Sequence, residues 1–182
     1  MDINKDNKKP VIIKKTIDNI HIYTDGSCTR KVNKRKETVL KAGYGIYYPN
    51  NELPNVSRPF TTGEPTNNRA ELQAIYVALI QVKKNFNYNK VYIYSDSKYC
   101  ILSLTKYVLT WVKNGWKNAK KQPVENQDII KPLYEIINKQ KEKIVLVHVK
   151  AHTNQQDEFS LNNAFADKLA KKGGERSPEF II

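Results

Sequence analysis

Apolar and polar positions follow two different periods along this chain, and the changes of period mark its elements. Ile20–Thr24 (IHIYT), Tyr44–Pro49 (YGIYYP) and Asn55–Phe60 (NVSRPF) read as successive strands, rich in β-branched and aromatic residues. From Asn67 the pattern turns helical: Leu72, Ile75, Ala78, Leu79 and Val82 fall on one stripe of a helix that must be buried. Lys90–Asp96 (KVYIYSD) returns to strand. Residues 97–113 are helical, 114–123 (NGWKNAKKQP) irregular, and 126–140 helical again, with Pro132 expected in an early turn. Lys143–Val149 (KIVLVHV) is the last strand and Leu161–Lys172 the closing helix. Strands first, then helices interleaved with strands, predict an α/β fold with a mixed sheet.

The two ends depart from this pattern. Residues 1–18 are rich in Lys and Asn and are expected to form a basic, disordered arm; residues 174–182 are expected to be a flexible tail. That leaves 19–173 as one domain, a size that buries a substantial core. The net charge of +13 suits a polyanionic partner, most often nucleic acid, although a Lys-rich proteome would also produce it. Cys28 and Cys100 lie far apart and fit neither a metal-type spacing nor a disulfide framework, which suits a reducing compartment. No apolar run approaches the ~18 residues of a membrane span. MDINKDNKKP lacks the apolar stretch of a signal peptide, so the expected setting is intracellular, cytoplasmic or nuclear, or that of a virus-encoded protein acting in the infected cell.

Candidate chemistry rests on acids at element ends. Asp25 follows the first strand in YTDGSC, Glu71 is expected in the first turn of the long helix, Asp96 ends the fourth strand in YSDS, and Asp167 lies in the last helix. Each has an ordinary alternative. Asp25-Gly26 fits a tight turn, Glu71 a charge favoured by the helix dipole, Asp96-Ser97 a helix cap, and Asp167 a solvated position. Strand ends of an open α/β sheet are nevertheless where ligands collect.

The motifs YTDGSC, TNNRAEL, YSDSKY, GWK with PVENQD, HVKAH and NNAFADKLA occur in this order over residues 19–173 and together resemble ribonuclease H type 1. The resemblance implies a ribonuclease H-like fold: a five-stranded mixed sheet flanked by helices, with a basic handle. It implies endonucleolytic hydrolysis of the RNA strand of RNA/DNA hybrids by two metal ions, giving 5′-phosphate and 3′-hydroxyl ends. Asp25, Glu71, Asp96 and Asp167 match the metal-binding carboxylates, and His152 matches a histidine that handles protons near the site. The implied ions are two Mg²⁺, with Mn²⁺ as a substitute; hard oxygen donors suit both. Crowded carboxylates repel unless cations neutralise them, which makes such a cluster poor as pure structure.

By the same match, Gly26, Ser27, Cys28, Asn67 and Asn68 meet the RNA strand, and Thr66 and Asn126 hold a phosphate of the DNA strand. Trp116 and Lys117 belong to the handle WVKNGWKNAKKQPVENQD, where Trp111 is expected to be mostly core. No small-molecule cofactor is implied, and a monomer is expected. The chain departs from the family pattern at three places. The loop after Cys28, TRKVNKRKETVLKAGYG, is long and basic. Glu64 stands where some relatives have an arginine. His152 and Asp167 are widely spaced. Two rival readings are a silent hybrid-binding module and an integrase-like strand-transfer nuclease; the full set of carboxylates opposes the first, and TNNRAE with the handle opposes the second.

Overall fold

The structure, a computed structural model, describes residues 14–150 and 157–182. Strands β1 (Lys15–Val32), β2 (Thr38–Tyr47) and β3 (Val56–Pro59) form an antiparallel meander. Helix α1 (Asn67–Asn85) then crosses over to β4 (Phe86–Ser95), which pairs parallel with β1. A bent helical stretch follows: α2 (Lys98–Leu102), a π-helical turn (Ser103–Tyr107) and α3 (Val108–Lys113). Helix α4 (Gln127–Lys139) leads to β5 (Ile144–His148), parallel to β4, and α5 (Glu158–Glu175) precedes β6 (Phe180–Ile181). The sheet order is β3-β2-β1-β4-β5, with β6 also paired to β2. This is the mixed sheet expected, with one short strand more.

Helix α1 forms where the apolar stripe demands it. Leu72, Ile75, Ala78, Leu79 and Val82 are all buried against one face of the sheet, together with Ile20, Ile22 and Ile93. Thr66 caps the helix: its hydroxyl accepts from the Arg69 N–H at 3.2 Å, satisfying one of the free donors of the first turn. The opposite sheet face carries Tyr23 stacked on Tyr94, with Ala166 of α5 packed above them. Helix α5 lies so close to β2 that a Cβ on Gly45 would stand 2.2 Å from the Ala166 carbonyl oxygen. Any larger residue there forces the helix off the sheet.

Several expectations need correction. Strand β1 begins at Lys15, so Lys15–Asp18 belong to the sheet and not to an arm; residues 1–13 lie outside the described residues. The parallel pairing with β4, from Lys15↔Phe86 onward, holds this polar segment in place despite its composition. The C-terminal tail is likewise ordered by pairing, with Val39↔Ile181 and Leu40↔Phe180. The segment after Cys28 is not a loop. It continues as a β1–β2 ladder to Val32↔Thr38. Pro132 lies in the second turn of α4, an early turn as expected. Trp111 and Trp116 are both half-buried, with ring centroids 6.4 Å apart, so Trp111 is not mostly core.

Candidate active site

Right-handed crossovers between parallel strands bring the carboxyl ends of neighbouring strands together. Here they bring together β1 and β4. Asp25 follows the last β1–β4 pair, Tyr23↔Tyr94, and Asp96 follows the end of β4. Glu71 enters from α1. The first turn of α1 holds no acid, so Glu71 lies one turn further in than expected, where the helix passes over β1. Gly26 permits that approach: a Cβ on it would stand 2.3 Å from the Glu71 nitrogen. Carboxylate oxygens of Asp25, Glu71 and Asp96 all fall within 4.8 Å of one another.

The electrostatics of this cluster are those of an unneutralised acid knot. Asp25 is buried, 6% exposed. Burial, then the Asp96 charge, push its carboxyl up to about 8; the Gly26 N–H, donating at 2.7 Å, opposes this, while Glu71 and Asp167 add to it. Glu71 is also raised, mainly by burial, against hydrogen bonds from Ser97 and Cys100. Cys100 donates its thiol to Glu71 Oε2 at 3.5 Å, and burial holds that thiol far above its ordinary range. No ion pair among the described residues reaches these three acids.

Asp167 stands outside the cluster. Its Oδ2 accepts from Lys171 Nζ at 2.7 Å, a one-turn pair on α5. It is near enough for its charge to act on Asp25, yet the structure gathers three of the four expected carboxylates and not the fourth. His152 lies outside the described residues. Two groups at the site were not singled out from sequence as part of it. Asn163 donates Nδ2 to Asp96 Oδ2 at 2.8 Å, and its buried Oδ1 has no partner among the described residues. His148 Nε2 donates to the Asp96 carbonyl at 3.2 Å. The only signal for Asn163 was its position one helical turn before Asp167 in NNAFAD.

The remaining residues frame this centre. Asn67 does not cap α1; its Oδ1 accepts from the Cys28 N–H at 2.5 Å and ties the helix start to β1. The Cys28 thiol reaches the Pro65 carbonyl at 3.6 Å, and Asn68 offers its carbonyl to Cys100 at 3.9 Å. Ser27 lines a groove between β1, β2 and α5. Thr66 and Asn126 share a cleft of about 400 Å³ with Glu64, Glu125 and Arg69. Arg69 is clamped by Asp128 at 2.9 and 2.7 Å, and its Nη1 also reaches Asn126 Oδ1 at 3.4 Å. Asn126 itself adopts a left-handed conformation, φ 59°, and spends its amide on Tyr99 and Arg69 instead of capping α4. In the handle, Trp116 sits under Lys131, 5.1 Å from Nζ to the ring centre, beside exposed Lys117.

This strand order, with acids gathered where the β1–β4 pairing ends, places the molecule in the ribonuclease H-like class. The solved RNase H domain of PFV is 26% identical, covers 87% of this chain and 96% of its own, and superposes with a TM-score of 0.66. The chain belongs to the RNase H family, whose model matches residues 18–175. It is 39% identical over 137 residues to a probable ribonuclease H of Acanthamoeba polyphaga mimivirus, covering 74% of this chain and 59% of that one. It is 38% identical over 152 residues to the ribonuclease H of Schizosaccharomyces pombe, covering 84% and 52%. It is 35% identical over 156 residues to the ribonuclease H of Orientia tsutsugamushi, covering 85% and 81%. The chain thus spans about half the length of the first two relatives.

Proposed function

We propose that this chain is an endonuclease that hydrolyses the RNA strand of RNA/DNA hybrids, leaving 5′-phosphate and 3′-hydroxyl ends. The observation that carries this reading is the convergence of Asp25, Glu71 and Asp96 within 4.8 Å. Family membership and the activity for which the relatives are named support it. The donor set fits divalent cations of the Mg²⁺ or Mn²⁺ type: it is all oxygen, it is held at raised proton affinity, and an unpartnered Asn163 oxygen lies beside it. Asp25, Glu71 and Asp96 would hold the ions, with Asp167 joining when it leaves Lys171. When bound, two such ions supply the Lewis acidity that phosphodiester hydrolysis needs at both the attacking and the leaving oxygen.

The chain's own groups do the rest. Asn163 and His148 fix Asp96 by donating to its carboxylate and its carbonyl. Cys28 and Asn67 lock β1 to α1, so that Asp25 and Glu71 keep their spacing. Gly26, Ser27, Cys28, Asn67 and Asn68 form the floor on which the RNA strand lies, and amide groups there suit the 2′-hydroxyl. Thr66 and Asn126 hold a DNA-strand phosphate, with Arg69 supplying the positive charge that Glu64 does not. His152 assists departure of the leaving group. Trp116 and Lys117 grip the DNA backbone from the handle. The test is strand-labelled RNA/DNA, RNA/RNA and DNA/DNA duplexes, with Mg²⁺ or with EDTA. Cleavage confined to the RNA of the hybrid and abolished by EDTA is expected; a hybrid left intact in Mg²⁺ refutes the proposal, and equal cutting of DNA duplex favours the strand-transfer alternative.

A further inference from the structure

Beyond Tyr23↔Tyr94 strand β1 leaves β4 and runs on with β2 alone, so the β1–β2 ribbon projects from the sheet on the side where the acids stand. It carries Arg30, Lys31, Lys34, Arg35, Lys36 and Lys41 against a single acid, Glu37. Solvated faces normally mix the two signs; this ribbon does not. It is also held stiffly. Asn33 Oδ1 accepts from Arg35 N and Glu37 N at 2.9 and 3.0 Å, closing the turn, and Asn33 Nδ2 engages the carboxylates of Glu37 and Glu179 at 2.9 and 3.2 Å. A two-stranded ribbon is marginal by itself, but β6 adds a third strand at Val39 and Leu40, and the Ile182 N–H donates to the Thr38 carbonyl at 3.0 Å. Ser27, Thr29, Lys31 and Lys41, with Lys171, Gly174 and Glu175 of α5, line a groove of about 340 Å³ that starts two residues beyond Asp25.

We propose that this ribbon is a second grip on the nucleic acid, binding backbone phosphates of the duplex away from the cut. This rests on the hybrid-cleavage reading above. From Asp25 to Val32 the strand reaches about 23 Å at ~3.3 Å per residue. That corresponds to about seven nucleotide steps of ~3.4 Å along one strand. A hybrid extending that far meets the tip cations; a shorter one does not. The fixed ladder holds the charges in place before binding, so less ordering entropy is lost than with lysines on a flexible loop.

The test compares the full chain with Arg30→Gln/Lys31→Gln/Lys34→Gln/Arg35→Gln. A charge-matched control, Lys15→Gln/Lys84→Gln/Lys139→Gln/Lys141→Gln, changes exposed lysines at the other end of the sheet. KM is measured on hybrids of about 24 and about 5 base pairs, the shorter spanning only about four ~3.4 Å steps and so falling short of the tip. The ribbon variant is expected to raise KM on the long hybrid about tenfold and on the short one less than threefold, with the control within twofold on both. Its salt dependence should flatten by up to about 3.6 in log–log slope, at ~0.9 for each phosphate that the variant leaves unneutralised. The pair Lys34→Gln/Arg35→Gln leaves every ladder residue in place and should show the same length dependence, reduced in size. Anisotropy titrations of both hybrids in EDTA read ribbon binding without cleavage. A chain that cuts no hybrid but loses long-hybrid affinity in the variant keeps this proposal and ends the catalytic one. Equal changes in the ribbon and control variants, or equal changes on long and short hybrids, overturn it.

Discussion

Asp25→Asn should stabilise the cation-free protein, and by an amount that depends on pH. In the folded chain Asp25 titrates at about 8; in the unfolded chain it takes the ordinary carboxylate value near 3.9. Between these values the folded state holds a proton that the unfolded state has released, so stability falls as pH rises. The contribution is fully present below about pH 4 and is lost as pH climbs through about 8. At ~1.4 kcal/mol per pH unit, wild type should lose about 4 kcal/mol between pH 5 and pH 8 that Asp25→Asn keeps. For a chain of this size that is a relative shift of roughly 8–16 °C in Tm. Urea or thermal unfolding in EDTA at half-unit pH steps measures it. Adding Mg²⁺ should close the gap by raising wild type far more than the variant, because ligands that bind only the folded state stabilise it by mass action. Parallel pH profiles for the two proteins in EDTA would refute the claim that Asp25 is buried among like charges.

Asp96→Asn should lower hybrid cleavage by at least ~10²-fold with an unchanged far-ultraviolet spectrum, whereas Asp167→Asn, whose carboxylate is already engaged by Lys171, should cost tenfold or less; equal losses would place Asp167 inside the cluster. Gly45→Ala should destabilise by about 1–3 kcal/mol in urea unfolding, since its methyl group would overlap α5 backbone; an unchanged midpoint would show that α5 yields. Trp116→Ala/Lys117→Ala should raise KM for the hybrid several-fold more than it lowers kcat. An unchanged KM would remove the handle from the binding surface.

Much of this architecture was legible because burial and period agree. The α1 stripe and the IHIYT and KVYIYS strands bury the very positions that their patterns mark, and Asp25 and Asp96 follow directly on those two strand patterns. What escaped was set by pairing partners distant in sequence. TRKV has no apolar alternation because much of the projecting ribbon is solvent-exposed; only its register with Thr38–Lys41 makes it a strand. Lys15–Asp18 and Phe180–Ile181 are strands for the same reason. The distance of Asp167 from the other acids depends on which neighbour its carboxylate takes, and its local sequence offers Lys171 one turn away as readily as it offers Asp25. Asn163 and His148 matter through Asp96, which they reach from α5 and β5 by an approach that no local spacing encodes.

The parallel β1–β4 pair has a consequence for the life of the chain before it is finished. Positions 25, 71 and 96 meet only after the helical crossover between those strands has swung round and docked. A fragment that has not yet reached residue 96, or an intermediate lacking that docking, does not bring these three acids together. On the proposed reading, competence to break a phosphodiester would switch on only with the completed topology, and a copy lacking that docking would be inert toward the nucleic acids around it.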